Sequence, residues 1–182
     1  MDDYQVWSLL LKGDSEALKL IYYRNYDLLL NYGYKLCRNE ELVKDCIHDV
    51  FLKIFGNGKL SMVDQIRPYL LRAVRNMITE EMGKKGVVNC VQFDINVLLS
   101  LESRSAESQE GQDDEELRKS HKLINSFSKL NNNQKQILYL RYVKNLSFKE
   151  VADFLDINVQ SAMNLASRTV SKLRNILQNE MK

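Results

Sequence analysis

Residues 146 to 174 read L-S-F-K-E-V-A-D-F-L-D-I-N-V-Q-S-A-M-N-L-A-S-R-T-V-S-K-L-R, and this stretch decides the fold because it spells two capped helices joined by a tight turn. Ser147 opens the first. Its hydroxyl can accept from an orphan backbone N–H while Glu150, three residues on, reaches back to complete a capping box. Phe148, Val151, Ala152 and Leu155 then share an apolar face. Asp156-Ile157-Asn158 makes the turn: Asp156 is among the few non-glycine types that tolerate a left-handed backbone, and Asn158 is placed to cap the second helix. That helix runs from about Val159 toward the end of the chain. Ala162, Leu165, Ala166, Thr169, Val170 and Leu173 recur at helical spacing, whereas Gln160, Asn164, Arg168 and Lys172 line another face. Asn and Gln suit adenine edges, Arg suits guanine and Lys suits phosphate, so this row, with Ser161 and Ser167 beside it, has the chemistry of a helix that reads the major groove. A helical hairpin with a merely solvated polar face is the alternative that the stretch alone leaves open.

The surrounding chain of 182 residues has one proline and 45% hydrophobic residues, which suits packed helices more than sheet and permits one domain or two small ones. An all-α protein is expected. The N-terminus is acidic and carries no signal-peptide pattern, and no apolar run approaches spanning length, so the expectation is a cytoplasmic chain without direct membrane insertion. Cys37, Cys46 and Cys90 are odd in number and widely spaced, the pattern of neither a disulfide framework nor a metal site.

The formal net charge of +2 hides three blocks. Residues 1 to 101 balance acid and base, residues 102 to 117 carry an excess of roughly six acidic charges, and residues 118 to 182 an excess of roughly eight basic ones. The basic block contains the two capped helices, as phosphate attraction requires of a DNA-binding carrier. The acidic block is rich in Ser and Gln, lacks apolar periodicity and cannot bury enough surface to fold by itself. It reads as a flexible linker over 87–117 that joins a helical domain at 1–86 to one at 118–182.

Punctuation divides the N-terminal block. Gly13 ends a first helix and Asp14 caps a second, which carries Leu18, Ile21, Tyr22, Tyr26, Leu29 and Leu30. A third spans about Glu40 to Phe55 with Val43, Ile47, Val50, Phe51 and Ile54 inside, and presents Asp45, His48, Asp49 and Lys53 on another face. After the loop Gly56-Asn57-Gly58-Lys59, a fourth is expected from about Val63 to Gly83. Tyr69, Leu70, Ala73, Val74 and Met77 read as core there, with Arg72, Arg75 and Asn76 polar and Lys84 and Lys85 at the end. No catalytic constellation emerges: histidines number two, no glycine loop cradles phosphate, and no spacing forces carboxylates together. No cofactor and no metal is implied, and an enzyme is the least supported class.

With these motifs in order, the chain resembles the extracytoplasmic-function (ECF) group of the sigma-70 family over nearly its whole length. Gly13-Asp14 followed by Ala17-Leu18 resembles the family's G-D-x-x-A-F signature, and Asp45 to Leu52 resembles D-L-V-Q-E-V-F-L. Arg67-Pro68-Tyr69-Leu70 to Arg75-Asn76 is similar to W-L-x-x-I-A-x-N, with Tyr69 in the tryptophan position. Leu130 to Tyr142 resembles L-P-x-x-x-R-x-V-F-x-L-R-Y, with Asn131 in place of the proline but able to cap its helix through Gln134. The paired helices match L-S-x-x-E-I-A through the closing K-L-R.

The resemblance implies a dissociable initiation subunit that binds bacterial core RNA polymerase and confers promoter specificity without an active site of its own. Asp45, His48, Asp49 and Lys53 would meet the clamp helices of the polymerase's largest subunit. Lys59, Arg72, Arg75, Asn76, Lys84 and Lys85 would melt and read the minus-10 element, capturing an extruded base. Gln160, Ser161, Asn164, Ser167, Arg168 and Lys172 would read the minus-35 element, while the other surface of that domain meets the polymerase flap. An anti-sigma factor is the implied regulatory partner. Met163 and Leu165 stand where Lys and Arg are common, and Gly83 where Arg is usual, which makes both DNA-facing helices less basic. A sigma-like regulator that binds polymerase without reading promoters is one rival. A helix-turn-helix repressor is another, although it would need a dimer surface for a palindromic site.

Overall fold

The computed structural model describes residues 2–57, 61–84, 93 and 122–179, and every regular element among them is helical. The chain divides into two compact units, Met1–Gln92 and Phe93–Lys182. Among the described residues no helix is long and apolar enough to cross a membrane.

Unit 1 contains α1 (Asp3–Leu11), α2 (Ser15–Cys37), α3 (Glu40–Gly56) and α4 (Ile66–Lys84). Each of the first three starts at a side-chain cap: Asp2 and Gln5 exchange hydrogen bonds, Asp14 accepts from Glu16 and Ala17, and Asn39 accepts from Leu42. Gly13 turns the chain between α1 and α2 at φ +84°, where a Cβ would be strained. The expected start of α4 near Val63 is corrected to Ile66. Pro68 supplies the reason, since in the first turn its missing N–H costs nothing, whereas a helix begun at Val63 would drive its ring into the carbonyl of Asp64.

The core of unit 1 lies where α2, α3 and α4 pack on one another, with α1 laid on α2. Leu29, Tyr32, Val43, Ile47, Leu70, Leu71, Val74 and Ile78 are all fully buried there. The α2–α3 approach depends on Gly33, where a Cβ would stand 2.5 Å from Val43 Cγ1 and 3.0 Å from Ile78 Cδ1. Val43 is β-branched and cannot swing aside cheaply. Gly33→Ala is therefore expected to cost about 1–3 kcal/mol of overpacking, against about 1 kcal/mol gained in helix propensity. A lowered urea midpoint with an unchanged m-value would show it.

Unit 2 is helical over 122–128, then continues through α5 (Asn132–Leu138), a π-helical turn (Tyr139–Val143), α6 (Phe148–Leu155) and α7 (Val159–Asn179). Both expected capping boxes are present: Asn131 pairs with Gln134, and Ser147 with Glu150. Asp156 adopts φ 57°, ψ 47° and ends α6, while Asn158 Oδ1 accepts from the Ser161 N–H at 2.7 Å. Phe154, not Leu155, completes the inward face of α6 with Val151 and Ala152, and Leu155 is half-buried. Ala162, Ala166 and Thr169 form the buried stripe of α7. These residues are small, so α7 approaches its neighbours closely and leaves its long polar side chains outside.

The connection expected over 87–117 is interrupted at Phe93. Its side chain is fully buried in unit 2, with its ring 5.0 Å from that of Tyr139. The acidic residues of that expected linker lie outside the described residues.

Candidate nucleic-acid interface

Small buried residues on one side of α7 leave Gln160, Asn164, Arg168 and Lys172 exposed on the other. Gln160 Nε2 donates to Asn164 Oδ1 at 3.2 Å, which orients the two amides relative to each other across one helical turn. That bond uses neither the Asn164 amide hydrogens nor the Gln160 oxygen, a donor set and an acceptor of the kind an adenine edge pairs with. Lys172 is placed differently: its Nζ donates to the Lys129 carbonyl at 3.1 Å and to Gln134 Oε1 at 3.3 Å, tying α7 to the start of α5. Ser161 is half-buried at the capped start of α7.

Ser167 faces an open groove of ≈ 380 Å³ between α7 and the π-turn, lined by Tyr142, Phe148, Met163 and Val170. The wide turn pushes Tyr142 and Val143 outward, at 55% and 46% exposure, while Arg141 bridges back to the Leu146 carbonyl at 3.0 Å and stacks over Phe148. Met163 therefore belongs to an apolar surface a step around the helix from Asn164 and Arg168. Its apolar character leaves the polar row intact.

In unit 1 the α4 row meets a second groove. Asn76 is exposed and Arg72 and Arg75 are half-buried on α4, and Asn76 lines a groove of ≈ 270 Å³ with Lys53, Asn57, Tyr69, Met77 and Glu80. This groove is smaller than the ~300 Å³ at which drug-sized sites begin. Tyr69 and Ala73, expected in the core, are half-buried because they form its wall. Burial raises the Tyr69 phenol above its ordinary pKa, so it enters any contact as a neutral donor. Trp7 supports Tyr69 edge-on at 5.4 Å and donates from Nε1 to the Ser61 carbonyl at 3.1 Å. Lys84 is held by Glu80 at 3.1 Å and Glu81 at 2.7 Å, in exposed pairs that offset its charge. Lys59 and Lys85 lie outside the described residues.

The α3 row of Asp45, His48, Asp49 and Lys53 is exposed. Beneath it Cys46 is buried, and its thiol is pushed up to about 11 by desolvation, so it stays protonated and inert at neutral pH. Beside His48 lies an apolar groove of ≈ 200 Å³ between α2 and α3, lined by Tyr22, Tyr23, Phe51, Leu52 and Phe55. Tyr23, Leu52 and Phe55 are 75%, 57% and 47% exposed, a cluster of large apolar groups beside two carboxylates. Sequence reasoning placed the charges and missed this patch. The available signal was His48, Leu52 and Phe55 sharing one face outside the core stripe.

Residues 127–175 match the family described as Sigma-70, region 4. In three dimensions the chain is similar to CnrH, solved in complex with the cytosolic domain of CnrY, with TM-score 0.66, 16% identity, and 97% of each chain covered. It is also similar to the sigma factor RpoE, solved in complex with the anti-sigma factor NepR from Bartonella quintana. That match has TM-score 0.54 and 15% identity, and covers 88% of this chain and 96% of that one. No curated protein matches the chain in sequence. Residues 127–175 thus carry a region 4-type helix-turn-helix, and the chain as a whole shares the all-helical fold of these two structures.

Proposed function

We infer that the chain is a promoter-specificity subunit that docks on bacterial core RNA polymerase and directs initiation at promoters with minus-10 and minus-35 elements. The observation that carries this reading is the juxtaposition, in one region 4-type unit, of an outward Gln160–Asn164–Arg168 row with an apolar groove on the neighbouring face. One face can read DNA while the next holds a protein. In unit 1 the α3 carboxylates and the Leu52–Phe55 patch offer a polymerase contact in which charge steers and apolar burial holds. The α3–α4 groove, with Asn76 and Tyr69 in its walls, receives a base extruded from the minus-10 element. RpoE was solved with an anti-sigma factor, and an anti-sigma partner that covers the apolar grooves of this chain is part of the same reading.

The test is to mix the purified chain with core polymerase, measure co-elution by size exclusion, and then select initiating templates from a random promoter library. Co-elution with selective initiation is expected. Co-elution without initiation would leave a sigma-like regulator, and a folded chain that fails to bind would point to a helix-turn-helix repressor.

A further inference from the structure

Gln160 and Asn164 hold each other on the exposed side of α7. They project from consecutive turns, and because helix side chains lean toward the N-terminus, the Asn164 amide lies back over the turn that carries Gln160. Gln160 Nε2 donates to Asn164 Oδ1 at 3.2 Å, and among the described residues neither amide has another hydrogen-bond partner. The backbone beneath the pair is fixed. Ala162 and Ala166 of the same turns are buried, and the Asn158 cap holds the Ser161 N–H at 2.7 Å.

A side-chain amide is nearly symmetric in shape but not in chemistry, since reversing it puts N–H where oxygen was. The bond from Gln160 takes one lone pair of Asn164 Oδ1 and leaves the other, together with both amide hydrogens. Reversal of the Asn164 amide would set its NH2 against the Gln160 NH2, two donors face to face, unless Gln160 reversed with it. Adenine shows one acceptor, N7, and one donor, the N6 amino group, and a held asparagine meets both. Guanine shows two acceptors, N7 and O6, so the held oxygen would face a like group. An asparagine without its neighbour makes the same adenine contacts, yet it is free to turn and give its N–H to guanine, which erodes the difference between the two bases.

We propose, on the sigma reading above, that Gln160 is a positioning residue that fixes the Asn164 amide, and that the pair acts as one adenine-reading unit on which recognition of the minus-35 element depends. Asn164 touches the base and supplies affinity. Gln160 acts through Asn164 and supplies selectivity.

The experiment uses four full-length chains with core polymerase: unaltered, Gln160→Ala, Asn164→Ala and the double variant. Both positions are exposed and alanine is the better helix former, so α7 keeps its fold and an unchanged melting temperature checks this. Initiating templates are selected from a library randomised across the minus-35 element, and initiation is then compared on the selected promoter and its single-base variants. The unaltered chain should select an adenine that Asn164→Ala ceases to distinguish, with a preference over guanine of about 5- to 150-fold. An adenine analogue with carbon in place of N7 should remove most of the activity at that position. Gln160→Ala should keep most of the initiation on the adenine promoter while its preference over guanine falls at least about threefold. In the Asn164→Ala background the same substitution should change nothing at that base pair, because no amide remains to be positioned. Additive losses from the two substitutions, or a Gln160→Ala chain that relaxes a different base pair, overturn the unit and leave the sigma reading in place. So does a base other than adenine at the position that Asn164→Ala relaxes. Failure of the unaltered chain to initiate on any template overturns the sigma reading and this role of the pair with it.

Discussion

Arg168→Ala is expected to abolish most initiation from promoters that depend on a minus-35 element while leaving polymerase binding unchanged. Arg168 is exposed on α7, one turn beyond Asn164, and among the described residues it has no hydrogen-bond or ion-pair partner. Its guanidinium is thus available to a guanine edge, where a bidentate contact contributes about 1–3 kcal/mol of discrimination. That corresponds to a loss of roughly 5- to 150-fold. Specificity at one base pair should relax as well, because the lost contact is to a base edge. Lys172→Ala should behave differently. Its Nζ is already engaged by Lys129 and Gln134, so its removal loosens the α5–α7 junction and lowers the melting temperature of unit 2 before it alters base preference. Run-off transcription on promoter variants, with co-elution as the control, separates the two. Full activity of the Arg168→Ala chain would remove α7's outer row from the reading surface.

Why one row was legible and its neighbours were not follows from the range of the interactions. The caps at Asp14, Asn131, Ser147 and Asn158, and the left-handed Asp156, are set by bonds between residues two to four apart, so residue type and spacing suffice. The Gln160–Asn164–Arg168 row follows in the same way from helical period. What Met163 faces could not be read so, because Tyr142, which lines the same groove, comes from the π-helical turn of a different segment. The Leu52–Phe55 patch needs α2 beside α3, and the docking of Phe93 needs Asn132, 39 residues away. Each depends on a contact that period and capping do not encode. Phe154 and Leu155 differ by one step at the edge of an apolar stripe, and the packing of α7 on α6 decided between them.

Trp7 ties the fold of unit 1 to its candidate minus-10 groove, and its substitution should have the second large effect. The side chain is fully buried, braces Tyr69 edge-on, and holds the Ser61 carbonyl where the chain returns from the loop after α3. Trp7→Ala removes all three contacts and should cost about 3–5 kcal/mol, a large share of the 5–15 kcal/mol that typical domains possess. Unit 1 should then melt at a markedly lower temperature or fail to accumulate folded. Trp7→Phe separates stability from function. It keeps most of the apolar burial but loses the Nε1 bond to the carbonyl of the exposed Ser61, for a cost of about 0.5–1.5 kcal/mol. With the loop released and Tyr69 less firmly braced, the Trp7→Phe chain should bind polymerase normally yet initiate poorly on duplex promoters. A template already melted across the minus-10 element should restore its activity, since no base then has to be drawn from the stack. An equal deficit on duplex and pre-melted templates would place Trp7 in the stability of unit 1 alone, and an unchanged rate on both would dissociate the Ser61 bond from promoter opening.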